Sequence, residues 1–299
     1  MNERHLLDID RLADDDIEHI LNRACGLAAG GDAAAIKATV ANLFYEPSTR
    51  TRVSFELAAG RLGMRVVNIE LDHSSATKGE TLEDTAATLA AMGVDGVVLR
   101  HPESHRVSQL ADVVSGLRLI NAGDGTHAHP SQALLDAAVL RARGVDFSGL
   151  KLAVVGDIRH SRVAGSGIRL WQRLGVSEIR LAGPDSLLPA NPPVPSASLH
   201  DNLADAVRGA DVVMMLRVQH ERMDRAGWPD RESYFADWGL KEDDLADAAP
   251  GCLVMHPGPI NRGMEIDATV ADGERSLILE QVRMGVFARM AIFEWLFGE

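Results

Sequence analysis

Apolar runs bounded by turn residues alternate with stretches of helical spacing along most of the chain. Seven runs have the length and flanking residues of buried strands, at residues 66–71, 96–99, 119–121, 152–155, 179–182, 212–216 and 253–256. Helical spacing covers residues 51–62, 82–92, 131–143, 163–174, 203–206 and a final segment, 281–297. This alternation predicts an α/β fold in which parallel sheets are covered by helices on both faces. Ligands of such folds bind beyond the carboxyl ends of the strands, so the residues that follow each strand are the candidates for chemistry.

The same pattern predicts two similar-sized domains, each a parallel sheet flanked by helices. The helical segment 131–143 is followed by a turn at residues 144–149, after which the alternation restarts. We expect a first domain over residues 1–135, a second over 136–282, and a C-terminal helix, 283–299, that packs back on the first domain. The proline-rich residues 184–195 are expected to form a loop inside the second half.

Composition narrows the class of protein. The 299 residues are 46% hydrophobic and carry 30 basic and 43 acidic side chains, a formal charge of −13. This balance argues against nucleic acid or an anionic membrane as a general partner. Cys25 and Cys252 lie far apart, without metal-ligand spacing, as in a reduced cytosolic protein. No signal-peptide core or membrane-length apolar run is present, so the expectation is a soluble cytoplasmic protein.

The segment Ser48-Thr49-Arg50-Thr51-Arg52 places three hydroxyls and two guanidiniums at the start of a helical pattern. A helix N-terminus offers unpaired N–H groups and a partial positive charge, and added hydroxyls and arginines favour a phosphate-like dianion there. The alternative is an ordinary Ser/Thr cap on a surface helix, which leaves Arg50 and Arg52 unexplained.

Two further features of the first half suit an anionic ligand. The loop of residues 74–81 carries Lys78, which either supplies a movable charge to a phosphate or belongs to a plain surface loop with a capping threonine. It lacks the glycine spacing of a Walker loop. Arg100 follows a predicted strand. An arginine at this position either binds a ligand or is a solvated charge at the end of the strand.

Residues 121–132 combine two glycines with His127, His129 and, in the first turn of a predicted helix, Gln132. An imidazole at such a turn can polarise a carbonyl, with Gln132 donating a hydrogen bond beside it. A metal site at the two histidines is the alternative, but no third ligand stands at suitable spacing.

The second half places arginines after its strands. Arg162 follows the strand at 152–155, and Arg217 and Gln219 follow the strand at 212–216. Guanidinium groups at a sheet edge can hold a dicarboxylate bidentately. A dinucleotide site is not indicated, since its glycine motif is missing. Residues 256–259, His-Pro-Gly-Pro, can present rigid backbone groups to a ligand.

The opening motif followed by Ser54-Phe55-Glu56 resembles the carbamoyl-phosphate signature of the aspartate/ornithine carbamoyltransferase family. Other family motifs follow in order, from about Arg4 to the last helix: Lys78-Gly79-Glu80-Thr81, Arg100-His101-Pro102, His129-Pro130-Ser131-Gln132, Arg217-Val218-Gln219 with Glu221-Arg222, and His256-Pro257-Gly258-Pro259. The last two resemble the aspartate branch, and the Ser-Met-Gly and late cysteine motifs of the ornithine branch are missing.

The resemblance implies a role for each matching residue. The phosphate of carbamoyl phosphate would be held by Ser48, Thr49, Arg50 and Thr51, and the carbamoyl group by Thr51, Arg100, His129 and Gln132. The carboxylates of aspartate would bind Arg162, Arg217 and Gln219, with backbone groups of Pro257 and Gly258 near the carbamoyl nitrogen. Ser74 and Lys78 would come from an adjacent subunit, which makes the active unit a homotrimer. Catalysis would fall to Arg50, Thr51, Lys78, Arg100 and His129.

The implied reaction is attack of the aspartate amine on the carbamoyl carbon with loss of phosphate, in de novo pyrimidine biosynthesis. No metal or organic cofactor is implied, and partnership with regulatory or dihydroorotase-like chains stays open. Ala128 and Val163 differ from the residues that are common at these positions in the family. These differences bear on the exact geometry of substrate binding and not on the class of reaction. A catalytically silent homologue is the rival class, and the complete set of arginines argues against it.

Overall fold

The computed structural model describes residues 4–69, 80–219 and 230–298. The strands in these ranges are β1 (Thr39–Phe44), β2 (Arg65–Ile69), β3 (Gly96–His101), β4 (Arg118–Asp124), β5 (Lys151–Val155), β6 (Glu178–Ala182), β7 (Ala197–His200), β8 (Val212–Met215) and β9 (Leu253–Met255). The helices are α1 (Asp14–Ala28), α2 (Thr49–Arg61), α3 (Leu82–Ala91), α4 (Arg106–Val113), α5 (Pro130–Ala142), α6 (Arg162–Arg173), α7 (Leu203–Val207), α8 (Arg231–Trp238), α9 (Ala268–Ala271) and α10 (Ile278–Phe297). Short 3₁₀ helices lie at Asp185–Leu187 and Asp243–Ala246.

The chain forms two compact units. The first comprises Met1–Ala138 with Val282–Glu299, and the second comprises Val139–Gln281. Both boundaries fall inside helices, α5 and α10.

The first unit contains a parallel sheet in the order β2-β1-β3-β4. The chain leaves β1 for β2 on one side and returns to β3 on the other, so the strand order reverses between β1 and β3. Apolar residues of β1, β3 and β4 pack with those of α3 and α4 in one buried cluster. An open parallel sheet has its ligand crevice at such a reversal, beyond the carboxyl ends of the two strands.

The second unit contains a parallel sheet in the order β7-β6-β5-β8-β9. Its order reverses between β5 and β8, the first and fourth strands of the unit along the chain. Fully buried residues such as Val155, Val213 and Val254 form its core together with apolar residues of α7 and α9. The crevice of this sheet is therefore expected after Val155 and Met215.

The C-terminal helix α10 packs on the N-terminal unit. Trp295 donates from Nε1 to Asp16 Oδ1 of α1 at 2.7 Å, and Arg23 Nη2 donates to Glu294 Oε1 at 2.8 Å. The ring of Phe293 meets that of Phe55 in α2 edge to face, with centroids 5.7 Å apart. The predicted fold class, including the return of the last helix to the first domain, is confirmed. No helix in the described ranges is long and apolar enough to cross a membrane.

Several element predictions differ from the structure. Helices α1, α4, α8 and α9 and strand β7 are not among the predicted elements, and β1 occupies an apolar run for which no strand is predicted. The strand predicted at 66–71 is β2, and its last two positions lie outside the described residues.

Candidate active site

The N-terminus of α2 lies directly beyond the carboxyl end of β1, at the reversal point of the first sheet. Ser48 precedes the helix in an extended conformation, and in the described part of the chain its hydroxyl makes no capping bond. Thr51 is buried, whereas Thr49 and Arg50 are exposed. The hydroxyl of Ser48 is therefore not used as an ordinary helix cap, which removes the alternative interpretation of this segment.

Arg100 stands at the end of β3, across the same reversal point. Its carbonyl accepts from the backbone N–H of Tyr45 at 2.9 Å, which ties the ends of β1 and β3 together. Its guanidinium Nε lies 3.2 Å from Glu46 Oε2, in the loop that leads to α2, and Nη1 is 3.5 Å from the carbonyl of Ala122. The structure thus brings Arg100 beside the residues that open α2.

His101 follows Arg100 but has a different character. Its side chain is buried, its ring lies 4.8 Å from that of Tyr45, and Nδ1 accepts from the backbone N–H of Glu103 at 3.1 Å. Burial lowers the pKa of His101. A neutral imidazole with Nδ1 committed as an acceptor adds no cation here, so Arg100 carries the positive charge of this motif.

The segment that delivers His129 is organised by Asp124, which sequence reasoning missed. Asp124 is fully buried, and its Oδ1 accepts from Asn121 Nδ2 at 2.9 Å and from the backbone N–H of Ala128 at 3.0 Å. Both of its oxygens lie 3.2 Å from His127 Nδ1. The only sign of this role in the sequence was that an apolar strand ends in the polar segment Asn-Ala-Gly-Asp.

The two histidines of this segment have separate surroundings. His127 pairs with Asp124, and its ring packs at a tilt of 44° against that of His105, with centroids 3.8 Å apart. His129 is buried at the start of α5, with Nδ1 3.4 Å from Ser131 Oγ. Within the described ranges, no three acidic, histidine or cysteine side chains are grouped so that they could hold a metal ion.

Gln132 lies in the first turn of α5 and is 8% exposed. Its Nε2 donates to Asp136 Oδ1 at 2.9 Å. One N–H of the Gln132 amide is therefore engaged by Asp136, and the donation of Gln132 to a ligand stays a prediction.

The reversal point of the second sheet is closed by Asp157, in the turn after β5. This fully buried carboxylate accepts from the backbone N–H of Gln219 at 3.0 Å and from His160 Nδ1 at 2.8 Å. Gly156 precedes it with φ +124°, and a Cβ there would lie 2.5 Å from the carbonyl of Leu216. Only glycine permits the two loops to approach so closely.

The arginines of the second unit flank this junction. Arg162 is the first residue of α6 and is 3% exposed, and the preceding Ser161 caps the helix by accepting from Ala164 N–H at 3.1 Å. Arg217 is half-buried, with Nη2 3.5 Å from Gln219 Oε1. The structure therefore brings Gln219 to the loop that carries Arg162.

Residues 256–259 follow β9 and are held by a buried network. His256 Nδ1 accepts from Gly258 N–H at 2.8 Å, and Nε2 lies 3.1 Å from Glu265 Oε1, so the ring carries its proton on Nε2. The backbone N–H of His256 donates to Gln281 Oε1 at 2.9 Å. Gly258 has φ +68°, and the Gly258–Pro259 bond is cis.

Five residues of the predicted motifs, Ser74, Lys78, Gly79, Glu221 and Arg222, lie outside the described residues. Residues 48–51 and Arg100 stand at the reversal point of the first sheet, and His129 and Gln132 follow its edge strand β4. Arg162, Arg217 and Gln219 stand at the reversal point of the second sheet, and Pro257 and Gly258 follow β9.

Two family models match the chain. The carbamoyl-phosphate-binding domain of aspartate/ornithine carbamoyltransferases matches residues 4–142, and the aspartate/ornithine-binding domain of the same family matches residues 148–296.

Individual proteins agree with the models. An aspartate carbamoyltransferase catalytic subunit from Xanthomonas campestris is 48% identical over 99% of this chain and 96% of its own length. Aspartate transcarbamoylase from Trypanosoma cruzi, solved with carbamoyl aspartate and phosphate, superposes with a TM-score of 0.88 at 29% identity, covering 99% of this chain and 96% of that one. Ornithine carbamoyltransferase from Pyrococcus furiosus gives a TM-score of 0.87 at 26% identity, covering 99% and 97%. The chain therefore belongs to the aspartate/ornithine carbamoyltransferase family.

Proposed function

We propose that the chain transfers the carbamoyl group of carbamoyl phosphate to the amine of L-aspartate, giving N-carbamoyl-L-aspartate and phosphate in pyrimidine biosynthesis. The observation that carries this proposal is the placement of Arg100 beside the uncapped N-terminus of α2, at the reversal point of the first sheet. In that geometry the helix N-terminus can bind the phosphate of the substrate, and the guanidinium can bind its carbonyl oxygen. The near-full-length match to aspartate enzymes supports aspartate as the acceptor.

The phosphate is held by the first turn of α2. Ser48, Thr49 and Thr51 supply hydroxyls there, and Arg50 supplies a charge-assisted contact. The helix start carries no acidic residue in its first turn, so its partial positive charge is available to a dianion.

The carbamoyl group lies between Arg100 and His129, with Thr51 and Gln132 beside it. Arg100 stabilises the negative charge that develops on the carbonyl oxygen when the carbon becomes tetrahedral. Glu46 Oε2 lies 3.2 Å from Nε and helps to hold the guanidinium beside the start of α2.

The aspartate carboxylates bind Arg162, Arg217 and Gln219. A dicarboxylate matches two guanidinium groups bidentately, and the Asp157 bond to Gln219 N–H fixes the loop that carries Arg217. Pro257 and Gly258 offer backbone groups, held in place by the His256–Glu265 pair.

The chemical step forms one C–N bond and breaks one C–O bond. The lone pair of the aspartate nitrogen attacks the carbamoyl carbon, and the bond from that carbon to the bridging phosphate oxygen breaks. The leaving phosphate takes the proton that the amine loses. Orientation of the two substrates accounts for much of the acceleration.

The test is turnover by the purified chain with carbamoyl phosphate and L-aspartate. N-carbamoyl-L-aspartate and phosphate should form in equal amounts. A folded chain that forms neither would favour the silent homologue instead.

A homotrimer with shared sites is part of the proposal. The exposed apolar residues Val53 and Leu57 lie one turn apart on α2, and Val67 of β2 is 40% exposed, a surface suited to a second copy of the chain. Ser74 and Lys78 would reach the site of that neighbour. The cytoplasmic location and any regulatory or dihydroorotase-like partner stay predictions.

Mixing inactive chains tests the shared site. Lys78→Ala and Arg100→Ala chains, dissociated and reassembled in equal amounts, should recover about a quarter of wild-type activity, since each mixed trimer regains one intact site. Arg100→Ala mixed with Arg217→Ala is the control and should recover nothing, because these two residues serve one site from one chain. Equal recovery in both mixtures, or none in either, would contradict subunit sharing.

A further inference from the structure

Helix α8 is tied at both ends to the segment that links β9 to α9. At the start of α8, Arg231 donates from Nε to the carbonyl of Gly263 at 3.2 Å and from Nη2 to the carbonyl of Arg262 at 2.6 Å. Beyond the end of α8, the backbone N–H of Leu240 donates to the carbonyl of Glu265 at 3.1 Å. The middle of the helix is therefore held against this segment.

Tyr234 is the buried side chain in the middle of α8. It is 2% exposed and packs in one cluster with Leu187, Val218 and Met264. Its hydroxyl is buried and has no hydrogen-bond partner among the described residues. A buried hydroxyl without a partner destabilises the folded chain, so an acceptor beside it is expected.

Glu265 has an oxygen that lacks a donor. The side chain is fully buried, and its Oε1 lies 3.1 Å from His256 Nε2 and also accepts from the backbone N–H of Asn261. Its Oε2 is buried and has no partner in the described part of the chain. The His256 ring accepts from Gly258 N–H at Nδ1, so it is neutral and does not balance the carboxylate. A buried carboxylate of this kind is stabilised by each further donor that it meets.

Asp157 is the other carboxylate that acts on the tyrosine hydroxyl. Burial raises the pKa of Tyr234, and the negative charges of Glu265 and Asp157 raise it further, so the hydroxyl stays protonated and can donate. Both oxygens of Asp157 already accept bonds, Oδ1 from His160 and Oδ2 from Gln219. The hydroxyl is therefore assigned to Glu265 Oε2, which accepts none among the described residues.

We propose that Tyr234 is a positioning residue that donates to Glu265 Oε2 through one buried water and so fixes the backbone of Pro257 and Gly258 at the substrate. The hydroxyl and the oxygen are not bonded directly, and one water can join a donor and an acceptor that lie further apart. Glu265 holds the ring of His256, which holds the N–H of Gly258. This inference rests on the proposed function and adds a residue from outside the predicted motifs.

The experiment compares Tyr234→Phe with the wild-type chain in steady-state kinetics and thermal unfolding. Loss of a hydrogen bond to a buried carboxylate should lower kcat about tenfold and the melting temperature by about 4 °C. The KM for L-aspartate should change less than about threefold, because the ring keeps its packing on Val218. The dissociation constant of carbamoyl phosphate should change less than about twofold, since the proposed phosphate-binding residues 48–51 belong to the other unit.

A hydroxyl without an acceptor would give the opposite result. Its removal would relieve the cost of burying it, so the melting temperature of Tyr234→Phe would rise while kcat stayed at the wild-type value. Ser233→Ala is the matched control, because it removes an exposed hydroxyl from the same helix. This control should keep the wild-type kcat.

Glu265→Gln separates action through Glu265 from damage to the core. The amide oxygen can still accept from His256 and Asn261, and no buried charge remains, so this chain should keep kcat within about threefold of the wild-type value. Adding Tyr234→Phe to Glu265→Gln should lower kcat by less than about twofold, because Tyr234 acts only through the charge of Glu265.

An unchanged kcat in the folded Tyr234→Phe chain, or a tenfold loss that persists in the Glu265→Gln background, would overturn the inference. Its failure is distinct from failure of the proposed function. In the first case the wild-type chain still makes N-carbamoyl-L-aspartate, and in the second it does not.

Discussion

The Arg100→Ala chain is expected to turn over carbamoyl phosphate and L-aspartate about a thousandfold more slowly than the wild-type chain. Arg100 is the cation that the structure fixes beside the start of α2, through Tyr45 on its backbone and Glu46 on its side chain. Negative charge develops on the carbamoyl oxygen only as the amine attacks, so the loss should appear chiefly in kcat.

Steady-state kinetics and calorimetry check this expectation. Arg100→Lys should recover little of the rate, because a lysine offers a point charge without the planar fork that bonds Glu46 and the substrate together. Arg65→Ala is the matched control in the same unit, since Arg65 is exposed on β2, and it should leave kcat unchanged. If a folded Arg100→Ala chain had a kcat within about tenfold of the wild-type value, Arg100 would not stabilise the transition state as proposed.

The second large effect is expected at Arg217. Arg217→Ala should raise the KM for L-aspartate about a hundredfold, since two charge-assisted bonds to a carboxylate are worth about 3 kcal/mol. The dissociation constant of carbamoyl phosphate should not change, because Arg217 is assigned to the acceptor and the proposed phosphate-binding residues 48–51 belong to the other unit.

Arg208→Ala is the control for this prediction. Arg208 lies in the same unit, is 65% exposed at its side chain and pairs with Asp205 on the surface. A pair of this kind contributes little, so the variant should keep wild-type kinetics. If Arg217→Ala weakened the binding of carbamoyl phosphate as strongly as the binding of aspartate, the assignment of Arg217 to the acceptor would be wrong.

The fold could be predicted from the sequence because each buried strand is a short apolar run between turn residues. Strand β1 and helix α8 were omitted although β1 is an apolar run and α8 begins after the capping Asp230, but α1, α4 and β7 lack such signals. Helix α1 begins after Ala13, which provides no side-chain cap, and α4 begins after His105 with φ 64°. Strand β7 is half-exposed throughout, so it has no apolar run to mark it.

The residues proposed to bind the ligands could be predicted from the sequence for a related reason. Arg100 lies at the end of β3, Arg217 lies just after β8, and Arg162 follows the turn after β5. The strands of a parallel sheet bring the residues that follow them to one edge of that sheet. The supporting residues were not accessible. Asp157 accepts from the backbone N–H of Gln219, 62 positions further along the chain, and no local pattern records such a contact.

The orientation of Gln132 shows the same limit. The helical start predicted its place, but the bond from its Nε2 to the buried Asp136, one turn further along α5, was not predicted.

The ratio of kcat/KM for L-aspartate to that for L-ornithine tests the central claim most directly. Both acceptors carry an α-carboxylate, but the ornithine side chain ends in an ammonium group that would face Arg162 or Arg217 without a balancing anion. Like charges in such a site cost several kcal/mol, so the ratio should exceed about a thousandfold in favour of aspartate. A ratio near unity, or one that favours ornithine, would contradict the account.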